Sequence, residues 1–193
     1  MTDTGFIKLK NKFVLPEYFP GDATYVFRPG KDFRTLKLDY DDIDNYMVGI
    51  WEVQNQEALK EHVLSVIPER YRADFNLNCL RVPHGAPPHI DVDRKCAINF
   101  YVSTQGCITK VFNVIGTPKP KNATLKYKYM FVLKDLKEIG SFVSTDGEAY
   151  LLNTSLPHQV LPTQQVTDRK MLSLTSKYSF EEVKEMLAET GAI

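Results

Sequence analysis

From Phe75 to Ser176 the chain is a succession of short β-prone runs separated by turn residues, and this rhythm constrains the fold more than any other feature. The runs are Leu77–Val82, Cys96–Val102, Cys107–Val114, Leu125–Leu133, Ala149–Leu152 and Met171–Ser176. They are rich in aliphatic and aromatic residues, and Gly, Pro and Asn turns separate them. Many short strands at such spacing fold as a sandwich or barrel rather than as a β-α-β layout.

Helical patterns flank this region. Asn55 is a candidate N-cap, Leu59, Val63 and Val66 recur at i, i+4 and i+7, and Pro68 stops the helix. Such a helix covers the flat face and edge of a sheet. His62 lies beside the apolar stripe and reads as an ordinary helical histidine. At the other end, Ser179-Phe180-Glu181-Glu182 is a capping box. Val183, Met186 and Leu187 then form an inward face, and the helix ends near Gly191.

The first 74 residues read as a supporting segment. Pro16, Pro20, Gly21, Pro29 and Gly30 punctuate an aromatic-rich stretch, with Thr24–Phe27 as a short strand. Asp39, Asp41, Asp42 and Asp44 lack the Gly turn and downstream Glu of a calcium loop, so they read as a solvated loop. Met47–Val53 reads as a strand. The expectation is a single domain over 1–193, with a core over about 75–178 and a C-terminal helix over 179–191. It is mainly β with flanking helices.

The chemistry-bearing motif is Pro87-Pro88-His89-Ile90-Asp91, which leads into the run Cys96–Val102. Strand side chains alternate, so His89 and Asp91 point the same way. A Gly-containing strand over Asp146–Asn153 ends in a second histidine, His158, and Arg169 lies on a final strand eleven positions beyond that histidine. Singly, either histidine is an ordinary loop or core residue. Together, two imidazoles and a carboxylate form a facial triad that leaves positions open on ferrous iron. An arginine beyond the last ligand suits a dicarboxylate. Asp93 shares a face with Asp91 and competes with it as a ligand, and His84 reads as a loop residue.

In order and spacing these motifs resemble the 2-oxoglutarate/Fe(II)-dependent oxygenases, particularly the small prolyl-hydroxylase-like type, over roughly residues 75–178. The resemblance implies a double-stranded β-helix, or jelly-roll (cupin-like), core. It implies Fe(II) held by His89, Asp91 and His158, with 2-oxoglutarate as cosubstrate and O2 as oxidant. Arg169 would salt-bridge the distal carboxylate of 2-oxoglutarate, and Tyr101 would donate its hydroxyl to the same group. Alternation puts Ala97, Asn99 and Tyr101 on one face, with Ile98, Phe100 and Val102 on the other, packed against a helix. Relatives often carry a hydroxyl residue two after the arginine. Met171 stands there, and Ser173 is the nearest hydroxyl.

The implied reaction yields succinate, carbon dioxide and a hydroxylated substrate, with a peptide or protein residue of prolyl type as the leading substrate. The alternatives are a nucleobase, a small molecule, a cupin-type metal enzyme without 2-oxoglutarate, or a non-catalytic jelly-roll binding module. Formal net charge is zero, so no global field favours nucleic acid or an anionic membrane. Lys119, Lys121, Lys126 and Lys128 interleave with Tyr127 and Tyr129, but alternation separates the two types. The lysines therefore read as protection of an edge strand.

With 43% hydrophobic and 25% charged residues the composition is that of a globular domain. Cys79, Cys96 and Cys107 form no C-x-x-C pair and read as small buried hydrophobes. Neither a signal-peptide core nor a membrane-span pattern is visible, so a cytoplasmic location is expected.

Overall fold

The structure is a computed structural model that describes residues 4–14, 49–50, 56–82, 85–91, 94–104, 106–116, 121–122, 128–161 and 169–193. The expectations for Thr24–Phe27, the aspartate cluster, Asn55, His84, Asp93, Lys119, Lys126 and Tyr127 lie outside these residues. In chain order the described strands are β1 (Phe6–Lys8), β2 (Gly49–Ile50), β3 (Asn76–Val82), β4 (Ala86–Asp91), β5 (Cys96–Ser103), β6 (Ile108–Val114), β7 (Lys121–Asn122), β8 (Lys128–Met130), β9 (Leu136–Val143), β10 (Ala149–Leu152), β11 (His158–Leu161) and β12 (Arg169–Ser176). The helices are α1 (Gln56–Leu64) and α2 (Phe180–Glu189).

Period-two alternation gives β5 two different faces. Ile98 and Phe100 join a buried cluster with Leu59 and Val63 of α1, Val183 and Leu187 of α2, and Leu172 and Leu174 of β12. Tyr101 instead joins Val82, Val111, Phe142, Tyr150 and Met171. The first cluster lies under the helices and the second between the two sheets.

Those sheets are ordered β1-β10-β5-β12-β3-β2 and β7-β8-β4-β11-β6-β9. The core pairs are antiparallel and nested: β3 with β12, β4 with β11, β5 with β10, and β6 with β9. From β3 to β6, and again from β9 to β12, successive strands belong to opposite sheets. This is the eight-stranded jelly roll, or double-stranded β-helix, wrapped as two Greek keys. Two-residue β7 closes one edge, a short strand of the kind that resists edge-to-edge pairing.

The structure adds elements that the sequence patterns do not mark. β4 is a strand in its own right, in the sheet opposite β5, so His89 and Asp91 do not open the run Cys96–Ser103. His158 likewise opens β11 rather than closing the strand before it. Gly147, assigned to that earlier strand, sits instead in the preceding turn with φ +81, a conformation that favours glycine. Its amide bonds the Tyr101 carbonyl at 2.8 Å, and the Tyr101 amide bonds the Glu148 carbonyl at 2.8 Å. Tyr101 is thereby fixed in the interior.

α2 carries the expected capping box: the Glu182 amide donates to Ser179 Oγ, and the Glu182 carboxylate accepts from the Ser179 amide. Gly191 follows the helix end with φ +73. His62 Nε2 lies 3.0 Å from the Val14 carbonyl, tying α1 to the N-terminal segment. No helix among the described residues is long and apolar enough to cross a membrane.

Two predictions arise here. Phe100 is buried between β5 and the helices and packs on Phe13 at 5.1 Å between ring centroids. Phe100→Ala should cost about 3–5 kcal/mol, read as a lower urea midpoint with an unchanged slope. The three cysteines are free and buried. Burial pushes the Cys79 thiol up to about 11 and the Cys96 thiol up to about 12. Mass spectrometry should find both unalkylated by iodoacetamide at neutral pH until urea unfolds the chain.

Candidate metal centre

β4 and β11 are antiparallel neighbours, with His89 directly opposite His158. Their rings lie 4.3 Å apart between centroids. Two residues along β4, Asp91 returns to the same face. One candidate ligand atom from each of His89, Asp91 and His158 falls within 4.8 Å of the others, and all three residues are buried.

The pairing of β4 with β11 contains a bulge. Val160 faces Ala86 and His158 faces His89, so Pro87 and Pro88 together oppose Gln159. Prolines lack the amide hydrogen that regular pairing demands, and a bulge is one of the few strand sites that accept them. The bulge also aims the next side chain, His89.

The backbone sets the tautomer of both rings. His89 Nδ1 lies 2.7 Å from the Pro87 carbonyl, and His158 Nδ1 lies 3.0 Å from the Leu156 carbonyl. A carbonyl only accepts, so each Nδ1 carries the proton and donates it, leaving the lone pair on Nε2. Asp91 is oriented by Arg94, whose Nε donates to Oδ2 at 2.7 Å. The other oxygen, Oδ1, lies 3.7 Å from His89 Nε2. Two imidazoles and one carboxylate oxygen thus converge, a donor set suited to ferrous iron and similar divalent metals.

Arg169 reaches in from β12. It is 1% exposed. Its Nη2 donates to the Tyr101 hydroxyl at 2.8 Å and to Thr109 Oγ1 at 3.1 Å, and its guanidinium stands 4.8 Å from the Tyr101 ring centroid. Its Nε and Nη1 are buried without a hydrogen-bond partner among the described residues. A buried guanidinium with two donor nitrogens unsatisfied among the described residues is costly unless an anion completes it.

Register relates the guanidinium to the histidines. His158 faces Val111 across β6, and Thr109 faces Val160. Thr109 is therefore the diagonal neighbour of His158, about 7–8 Å away by strand geometry.

Asn99 and Ser173 also lie in the interior, directly opposite each other on β5 and β12. Ser173 Oγ donates to Asn99 Oδ1 at 2.8 Å, so the two bond each other. Met171 belongs to the apolar cluster around Tyr101.

Two residues at the site escape the sequence reading. Thr109 has a signal: it shares a face with inward Val111 and is one of the few polar residues at such a position. Arg94 has none, because it lies in a turn where no periodicity applies.

No protein-family model and no curated protein matches the chain. Among solved structures it is similar to EvdO2 from Micromonospora carbonacea var. aurantiaca complexed with 2-oxoglutarate, at 10% identity over 90% of this chain and 87% of that one, with a TM-score of 0.44. It is similar to the hydroquinone 1,2-dioxygenase PnpCD in complex with Cd2+ and 4-hydroxybenzonitrile, at 10% identity over 55% and 59% of the two chains and a TM-score of 0.34. Vicilin from Corylus avellana (hazelnut) is a third, at 12% identity and a TM-score of 0.38, with 70% of this chain covering only 30% of that one. The jelly roll itself is defined by this chain's own strand order and register.

Proposed function

We propose that the chain is a metal-dependent oxygenase that uses 2-oxoglutarate as cosubstrate and Fe(II) as its metal. The observation that carries this reading is the buried Arg169 guanidinium, two of its donors unsatisfied, bonded to Thr109, the diagonal neighbour of His158. A cupin-type enzyme without a dicarboxylate, or a non-catalytic jelly roll, gives such a cation no task.

His89 Nε2, His158 Nε2 and Asp91 Oδ1 would hold the metal. Iron supplies the coupling of 2-oxoglutarate, O2 and a substrate C–H bond to succinate, carbon dioxide and a C–OH product. The protein's own groups do the rest. The Pro87 and Leu156 carbonyls accept the Nδ1 protons of the two imidazoles, which fixes the rings and leaves Nε2 of each as the coordinating nitrogen. Arg94 occupies one Asp91 oxygen and so directs the other inward. Arg169 meets the distal carboxylate with a donor left open, Nε or Nη1, while Tyr101 and Thr109 hold its Nη2 and fix the plane of the guanidinium. The apolar cluster of Val111, Phe142, Tyr150 and Met171 keeps water from this interior.

The test is succinate formation from 2-oxoglutarate under air with added Fe(II). The expected result is metal-dependent succinate even without a primary substrate, through slow uncoupled turnover. Absence of both succinate and measurable 2-oxoglutarate binding would overturn the proposal.

A further inference from the structure

A cleft of about 650 Å3 opens where β3 begins and β12 ends, lined in part by Asp74, Asn76, Asn78, Arg94, Thr175, Ser176 and Lys177. Alternation explains the polar floor. Leu77, Cys79 and Leu174 face the helices, so Asn76, Asn78 and Thr175 face the interior. Asn78 Nδ2 donates to Thr175 Oγ1 at 3.1 Å across the two strands. Arg94 belongs both to the cleft wall and to the candidate centre, through its bond to Asp91. The cleft therefore borders the metal ligands.

It is also separate from the Arg169 site. Arg169 and Thr175 stand six residues apart on β12, about 20 Å along an extended strand. One end of the interior thus presents a guanidinium and the other a polar cleft, with the histidines and Asp91 on the opposite sheet. The volume is that of a small-molecule site, within the usual range of about 300–1,000 Å3.

The lining chemistry restricts the occupant. Among the described residues no aliphatic side chain lines the cleft. Tyr178, the aromatic residue among the described lining, donates its hydroxyl to Asp74, the acid of the same lining, at 2.6 Å. Arg94 is paired with Asp91, which leaves Lys177, an exposed residue, as the cation available to a ligand. A polar site of this kind rejects apolar groups, because its amides and hydroxyls would lose water without gaining partners.

We infer that this cleft takes the primary substrate, and that the substrate is a small molecule dense in hydroxyl groups, carrying at most one acidic group, of the sugar-acid kind. A prolyl ring does not match it. The word substrate rests on the oxygenase reading above; occupancy of the cleft does not.

The experiment is NMR titration of the metal-free full-length chain with gluconate, and separately with N-acetylproline amide as the apolar counter-probe. Gluconate should shift the side-chain amides of Asn76 and Asn78 and the backbone signals of Thr175 and Ser176. Thr175→Val removes one hydroxyl at nearly constant volume and should weaken gluconate about threefold to tenfold. Lys177→Ala, at an exposed position where folding is unaffected, should weaken it by a similar factor. Both variants should bind 2-oxoglutarate as the parent does, which separates failure of this inference from failure of the oxygenase reading. Shifts from the proline amide instead of gluconate, shifts from neither probe, or unchanged gluconate affinity in both variants would overturn the inference.

Discussion

His158→Ala is expected to abolish succinate formation and to lower divalent-metal affinity by more than about 100-fold, while the jelly roll persists. The magnitude follows from comparison: loss of an outer partner of a metal ligand already costs about 10–100-fold, and loss of the ligand costs more. Persistence of the fold follows from the position of His158. It opens β11, whose remaining residues keep their pairing with β4 and β6, and the apolar clusters on both sides of the other sheet do not include it. His89→Ala and Asp91→Ala should behave alike, because each supplies one of three converging atoms. Metal binding is read by equilibrium dialysis and folding by circular dichroism. Full activity in His158→Ala would remove this histidine from the site.

Arg169→Ala is expected to weaken 2-oxoglutarate binding by about 2–5 kcal/mol, the usual cost of truncating one partner of a buried charge pair. Arg169→Lys keeps the charge but loses the planar fork, so it should raise the cosubstrate concentration needed for half-maximal rate without abolishing turnover. A sign difference is instructive here. Without cosubstrate, Arg169 is a buried cation with two unsatisfied donors, so an apolar replacement of similar shape, Arg169→Met, should not destabilise the fold and can stabilise it. A large stability loss in Arg169→Met, together with unchanged cosubstrate affinity, would assign Arg169 a structural role instead.

Much of this architecture is legible in the sequence because one face of most strands packs on something apolar. Ile98 and Phe100 against Asn99 and Tyr101 give β5 its two faces, and the structure puts helices on one side and the second sheet on the other. β12 reads equally well through Leu172 and Leu174. The strands that escape are those whose pattern is set by something other than burial. β9 carries Lys137, Glu138 and Gly140 on a sheet edge, where water replaces packing. β4 contains two prolines that only a bulge can accommodate, and a bulge depends on the partner strand, which lies far off in sequence.

At the site the same division holds. His89, Asp91, His158 and Arg169 stand out by residue type and order. Tyr101 stands out with Asn99 as the polar face of a strand whose other face is apolar. Asn99 and Ser173 are correctly read as inward but bond each other, because cross-strand register, invisible in one sequence, puts them face to face. Thr109 and Arg94 act through tertiary contacts alone. The peptide substrate suggested by the resemblance also came from motif order, whereas the cleft proposed to take the substrate is built in part from Asn76, Asn78 and Thr175, residues with no motif.

The most direct test of the central claim is the affinity of 2-oxoglutarate measured without metal and with Mn(II), a redox-silent stand-in for Fe(II), in the parent, His158→Ala and Arg169→Ala. The account predicts that metal tightens binding in the parent, that His158→Ala retains only the weak metal-independent affinity, and that Arg169→Ala is weakened under both conditions. Equal 2-oxoglutarate affinity in all three proteins, with or without metal, would contradict it.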